Sequence, residues 1–222
     1  MAEPVQSQIP RRISRSVVCV TVTYPPGDKD IFGIVIGLSS KNAIVITCRH
    51  YFYEEVLGIG VTFEYEKILV DTDHILFNAD IAMIPVSIPE GFDITDVEEI
   101  PLCETLPSLH ENIHLFSPEY CRVTSGNIIG TTSDIAFQCN PCISEDSEFG
   151  APLLNNSSEL IGMSTGYGRL YLTAISSISI ARAIERTQGR QFQVMHCLMS
   201  SIQYFAVSHK VPHFILSDDK IK

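Results

Sequence analysis

Three short segments carry residue types that could act together on a carbonyl group. Ile46-Thr47-Cys48-Arg49-His50 ends a β-type run in Thr and places a histidine three residues on. Asn78-Ala79-Asp80-Ile81-Ala82-Met83-Ile84 opens an apolar run on an aspartate. Ser147-Glu148-Phe149-Gly150-Ala151-Pro152 is a glycine-bearing turn that leads into Leu153-Leu154-Asn155. An imidazole can take a proton from a hydroxyl, a carboxylate can orient that imidazole, and the backbone N–H groups of a tight turn can stabilise an oxyanion. The chain order is His, then Asp, then the glycine turn. A Ser-His-Asp hydrolase built on a pair of β-barrels uses that order.

Such residues must be held by strands, and strand signals dominate the chain. Residues 17–23 (VVCVTVT) are β-branched and half alternating. Tyr24-Pro25-Pro26-Gly27-Asp28 reads as a turn. Residues 31–38 (IFGIVIGL) follow, with Gly33 and Gly37 suggesting bulges or close approach. Further runs at 43–47, 59–63, 66–70, 80–86, 112–116, 121–129, 134–138, 151–154, 159–164 and 169–173 recur at the spacing of an all-β sandwich or barrel. Residues 178–187 (ISIARAIERT) read as a helix, stopped by Gly189. The acidic, Pro-containing stretch 89–109 reads as a connector between two halves, residues 1–16 as a loose arm, and 190–222 as an extension with no clear period.

These segments resemble the trypsin-like serine proteases, and most closely the HtrA or Do-like branch. Thr47–His50 looks like the family's T-x-x-H, and Ile34–Leu38 like the glycine-containing strand before it. Asp80–Ile84 looks like D-[IL]-A-[LV]-[LI]. Val123-Thr124-Ser125-Gly126-Asn127-Ile128 is similar to V-T-x-G-x-[IV]. Gly150–Asn155 and Ile161–Met163 look like G-G-P-L-[LIV]-N and [VI]-G-[IM], and 172–187 resembles the approach to the family's C-terminal helix. The resemblance spans essentially the whole body, residues 17–189. It implies two six-stranded antiparallel β-barrels, about 17–100 and 108–175, packed together with a C-terminal helix. It also implies that His50 is the base and that Asp80 pairs with its Nδ1. HtrA enzymes often carry a peptide-binding PDZ domain after the protease, and residues 190–222 are too short for one. The sequence further resembles plant Do-like proteins that have lost part of the triad.

The nucleophile turn departs from the family's G-[ND]-S-G-G-P. Counting back from Pro152, Ala151 and Gly150 take the glycine positions and Phe149 takes the nucleophile position. Phenylalanine cannot attack a carbonyl, because the chemistry needs a hydroxyl beside the base. Ser147 and Glu148 then replace Gly and Asn/Asp, which weakens the oxyanion hole and sets a negative charge beside it. In a second register Asp146-Ser147 supplies the nucleophile, with Glu148 and Phe149 inserted. Two added residues in that turn weigh against it, since a misplacement near 1 Å costs about 100-fold in rate. His50 after a strand and Asp80 at a turn also have purely structural readings. The leading expectation is therefore a catalytically impaired protease-like protein that binds peptides or partner chains. The alternatives are an active serine endopeptidase using Ser147, His50 and Asp80, and a structural β-barrel interaction module.

Composition bounds the partners. Hydrophobic residues make up 45% and charged residues 18% of 222 residues, which excludes wholesale disorder. The net charge of −11 is a poor match for nucleic acid. Residues 54–148 hold 19 acidic and two basic side chains, a net −17 that leaves +6 elsewhere. That stretch is either a solvated acidic face or a docking surface for a basic partner, and its last acids, Glu145, Asp146 and Glu148, crowd the glycine turn. The N-terminus lacks an apolar signal core and no run is long enough to span a membrane, so an intracellular setting, cytoplasmic or nuclear, is expected, with organelle import left open. The seven cysteines are then expected to be free thiols. Cys139-Asn140-Pro141-Cys142 lacks the second pair of a zinc ribbon and reads as structural, and Cys142 stands too far from the turn for a nucleophile. The remaining histidines lack metal-ligand spacing, and no phosphate-binding glycine loop occurs, so no cofactor or metal is implied. Oligomeric state has no signal.

Overall fold

A computed structural model describes residues 13–52, 55–63, 66–78, 80–117, 122–132, 134–140, 149–167 and 171–188. They form two antiparallel β-units followed by one helix. The first unit contains β1 (Val17–Tyr24), β2 (Gly27–Leu38), β3 (Asn42–Cys48), β4 (Gly58–Phe63), β5 (Glu66–Val70), β6 (Leu76–Asn78) and β7 (Ile81–Ser87). Its sheet runs β5-β4-β1-β2-β3-β7-β6. The second unit contains β8 (Asn112–Ser117), β9 (Arg122–Thr132), β10 (Ala136–Asn140), β11 (Pro152–Leu154), β12 (Leu160–Tyr167) and β13 (Leu172–Ser176). It closes into a barrel in the order β10-β13-β12-β11-β8-β9. The helix α1 spans Ser177–Gln188.

The long apolar runs follow from burial on both faces. Along β2 and β3, Val35, Ala43 and Val45 point into the first unit, whereas Ile34, Ile36, Ile44 and Ile46 point into a core shared with Phe116, Leu154, Leu160 and Met163 of the second. A strand with both faces covered needs apolar residues at every position, which erases the period-two signal. Closed-barrel interiors fill separately, around Ile113, Ile128, Phe137 and Leu153 in the second unit. The helix lays Ile180 and Ala183 onto the shared core. Its first turn is capped by Ser176, whose Oγ accepts from the Ser179 N–H at 3.2 Å.

Two details differ from the sequence reading. The first unit has seven strands rather than six, because the three-residue β6 adds to the outer side of β7. Its length is too short to stand out as a run. The turn after β1 is also tighter than the five residues expected. Tyr24 pairs with Gly27 and Thr23 with Asp28, so only Pro25 and Pro26 form the turn and Asp28–Asp30 are drawn into β2. The β-branched Val22 and Thr23 keep the ladder running past the point where polarity suggests a loop. Gly37 does sit at a break in the β2–β3 register, as the bulge reading expects.

Candidate active site

Antiparallel pairing of β3 with β7 sets Cys48 opposite Ile81. His50 follows β3 in the short 3-10 turn Arg49–Phe52, and Asp80 immediately precedes β7. The two segments therefore meet at one end of the sheet, where the Arg49 N–H donates to the Asp80 carbonyl at 2.8 Å. The His50 and Asp80 side chains are both exposed. Cys48 lies buried behind them. Burial pushes its thiol up to about 11, the Asp80 charge pushes the same way, and a hydrogen bond from the His50 backbone opposes both.

The glycine turn approaches from the second unit. Gly150 has φ +83°, a left-handed conformation that disfavours any side chain. A Cβ there would stand 2.2 Å from the Phe32 carbonyl oxygen and 3.0 Å from Thr47 Oγ1. Thr47 is fully buried and donates to that same Phe32 carbonyl at 2.6 Å. The Phe32 N–H donates to the Phe149 carbonyl at 3.4 Å. Phe32 of β2 thus bonds the turn through its N–H, while its carbonyl, held by Thr47, leaves no room for a side chain at position 150. The far side of the turn is held by Ser164 on β12. Its carbonyl accepts from Gly150 N–H at 2.9 Å, and its Oγ accepts from Ala151 N–H at 3.0 Å. Pro152 has no N–H to offer.

This docking delivers the Phe149 ring to His50. The two rings are stacked, 10° from parallel with centroids 5.7 Å apart. Both stand perpendicular to the Tyr51 ring, at 5.5 Å from His50 and 5.4 Å from Phe149. These separations and angles are the offset-stacked and edge-to-face arrangements that ring quadrupoles favour. The Tyr24 hydroxyl donates to the Tyr51 carbonyl and so ties the β1–β2 hairpin to the His50 turn. Lys29 Nζ lies 4.4 Å from the centre of the Tyr51 ring. A cleft of about 540 Å³ opens between that hairpin and the His50 turn.

The structure thus brings His50, Asp80, Phe149, Gly150, Ala151 and Pro152 to one region. Ser147, Glu148 and Cys142 lie outside the described residues. Tyr24, Lys29, Tyr51 and Ser164 join the site without a sequence signal, because none belongs to a motif and their partners are distant in the chain. Among the described residues no group of three or more His, Cys, Asp or Glu side chains could hold a metal ion, and no helix is long and apolar enough to cross a membrane. Cys19, Cys48 and Cys103 are free thiols, and Cys139 donates its thiol to the Leu172 carbonyl at 3.8 Å.

A second hydroxyl–imidazole pair lies away from the cleft. His114 on β8 faces Ser125 on β9, with Nδ1 3.0 Å from Ser125 Oγ, and its Nε2 is 3.0 Å from Asn156 Oδ1. The amide oxygen can only accept, so Nε2 carries the proton and Nδ1 accepts from the hydroxyl.

No family model and no curated protein sequence matches the chain. Solved structures do match. The serine endoprotease from Yersinia pestis is 19% identical with a TM-score of 0.65, over 84% of this chain and 67% of that one. The scabies mite inactivated protease paralogue S-I1 is 14% identical with a TM-score of 0.62, over 81% and 96%. The catalytically active tobacco etch virus protease, complexed with product, is 16% identical with a TM-score of 0.58, over 75% of each. The chain has the trypsin-like double-barrel fold of the serine proteases. An inactivated and an active protease share that likeness, so fold does not decide activity.

Proposed function

We propose that this chain is a catalytically impaired, protease-like protein of the HtrA or Do-like type that binds peptide or protein segments in the cleft beside His50. The observation that carries the reading is the Phe149 ring stacked on His50, in the position immediately before the left-handed Gly150. In a working enzyme that position delivers a hydroxyl to the imidazole. Here six ring carbons cover the imidazole face and bring no proton to transfer. His50 and Asp80 are then a retained base and orienter with nothing to activate. The cleft beside His50, lined by the β1–β2 hairpin and the His50 turn, offers space for a peptide side chain.

A fluorophosphonate probe tests the reading, because it labels only a hydroxyl made nucleophilic by a neighbouring base. The folded protein is expected to remain unlabelled. Labelling that disappears in Ser147→Ala would establish an active endopeptidase and overturn the proposal.

A further inference from the structure

We infer that the cleft beside His50 is a seat for a basic side chain, an Arg or Lys of a bound peptide, and that Lys29 occupies this seat in the free protein. The inference rests on the peptide-binding reading above and names the chemistry that such a cleft would recognise. Its starting observation is the ammonium of Lys29 held over the Tyr51 ring at 4.4 Å. The ring is nearly buried, braced by His50 and Phe149 at right angles, and its backbone is pinned by the Tyr24 hydroxyl. A cation therefore meets a rigid π-face whose ring itself need not move on binding.

Lys29 is a replaceable occupant. It sits on an exposed part of the β1–β2 hairpin, on a flexible four-carbon stem, where a cation–π contact is weak. The charge balance of the lining favours exchange with a ligand cation. Asp28 and Lys29 both line the cleft and cancel. When Lys29 swings to solvent, Asp28 remains to meet the incoming charge. Arg49, the other cation beside His50, stacks instead over Phe77 at 5.3 Å. The chain's net −11 adds long-range attraction for a basic segment. Guanidinium is planar and weakly hydrated, so Arg suits the π-face better than Lys.

The test uses the full chain and four pools of synthetic eight-residue peptides, randomised except for one central Arg, Lys, Gln or Leu. Binding is read by fluorescence polarisation at low salt. The Arg and Lys pools are expected to bind about tenfold more tightly than the Gln and Leu pools, Arg foremost. Lys29→Ala removes the competing cation and should raise the affinity of the Arg pool about two- to fivefold. Asp28→Asn should lower it, and Tyr51→Leu should abolish the preference of the Arg and Lys pools over the Gln pool. Equal binding of all four pools would refute the seat while leaving the peptide cleft intact. A basic preference unmoved by both Lys29→Ala and Asp28→Asn, variants on exposed positions that do not threaten folding, would place the seat elsewhere and also refute it. Absence of binding by every pool would refute the peptide cleft and the seat together.

Discussion

Each unit of the molecule carries one histidine set among chemically telling neighbours, and the two settings are opposites. His114 is buried, and both its ring nitrogens are hydrogen-bonded, to Ser125 and Asn156. His50 is exposed at the rim of a cleft, and its ring face is covered by Phe149. The hydroxyl–imidazole–amide arrangement of a nucleophilic site is therefore found where the β8–β9 ladder takes up the local backbone groups. The cleft is found beside the histidine whose ring is stacked on Phe149. Hydrogen bonding alone thus does not make a catalytic site, because access and free N–H donors must coincide with it. At His114 the network has a structural effect, satisfying polar groups that burial would otherwise penalise. At His50 the turn is set by packing, with Gly150, Thr47 and Phe32 fixing its course and the Phe149 ring stacked on the imidazole.

The sharpest way to break this contrast is to dislodge the turn that delivers Phe149. Gly150→Ala forces a left-handed alanine against the Phe32 carbonyl and should cost about 3–5 kcal/mol, read by urea denaturation. His114→Ala leaves a void and removes both hydrogen bonds of a buried ring, and should cost about 2–4 kcal/mol. A loss near zero would mean that the buried network does not support the second barrel. Ser125→Ala, which removes one exposed hydroxyl, should cost only about 0.5–1.5 kcal/mol.

Titration behind His50 gives a comparable effect. Burial raises the Cys48 thiol from 9.0 to about 11, so the unfolded chain loses its proton first as pH rises. The resulting stabilisation is complete below pH 9 and is lost towards pH 11, a fall of roughly 2–3 kcal/mol. Cys19 is pushed in the same direction, chiefly by burial. Stability measured at pH 8 and pH 11 should therefore drop less in Cys48→Ala than in the parent chain, and an equal drop would assign the effect elsewhere. The smallest effect is expected from Arg182, whose ion pair with Asp134 joins α1 to the β9–β10 turn. Both partners are partly exposed, so Arg182→Gln should cost under about 1 kcal/mol.

Much of this architecture is local in origin and was open to reading along the chain. Strand runs such as AIVIT and IFGIVIGL needed only β-branched apolar residues between turn signals, and the helix needed only its apolar spacing and a stop. The order of His50, Asp80 and the Gly150 turn, and Phe149 standing where a serine is expected, followed from residue types and counting back from Pro152. What the chain order could not supply are contacts between segments distant in sequence. Phe149 stacks on a ring 99 positions earlier, Gly150 leans on Phe32, and Lys29 reaches Tyr51 across a hairpin. The short β6, the open seven-stranded sheet and the His114 network are likewise products of pairing rather than of composition. Strand identity is set by each residue's own covalent and apolar character. The covering of an imidazole, the necessity of one glycine and the choice of occupant for a π-face are set by what the closed fold brings within a few ångströms, and only the tertiary structure decided them.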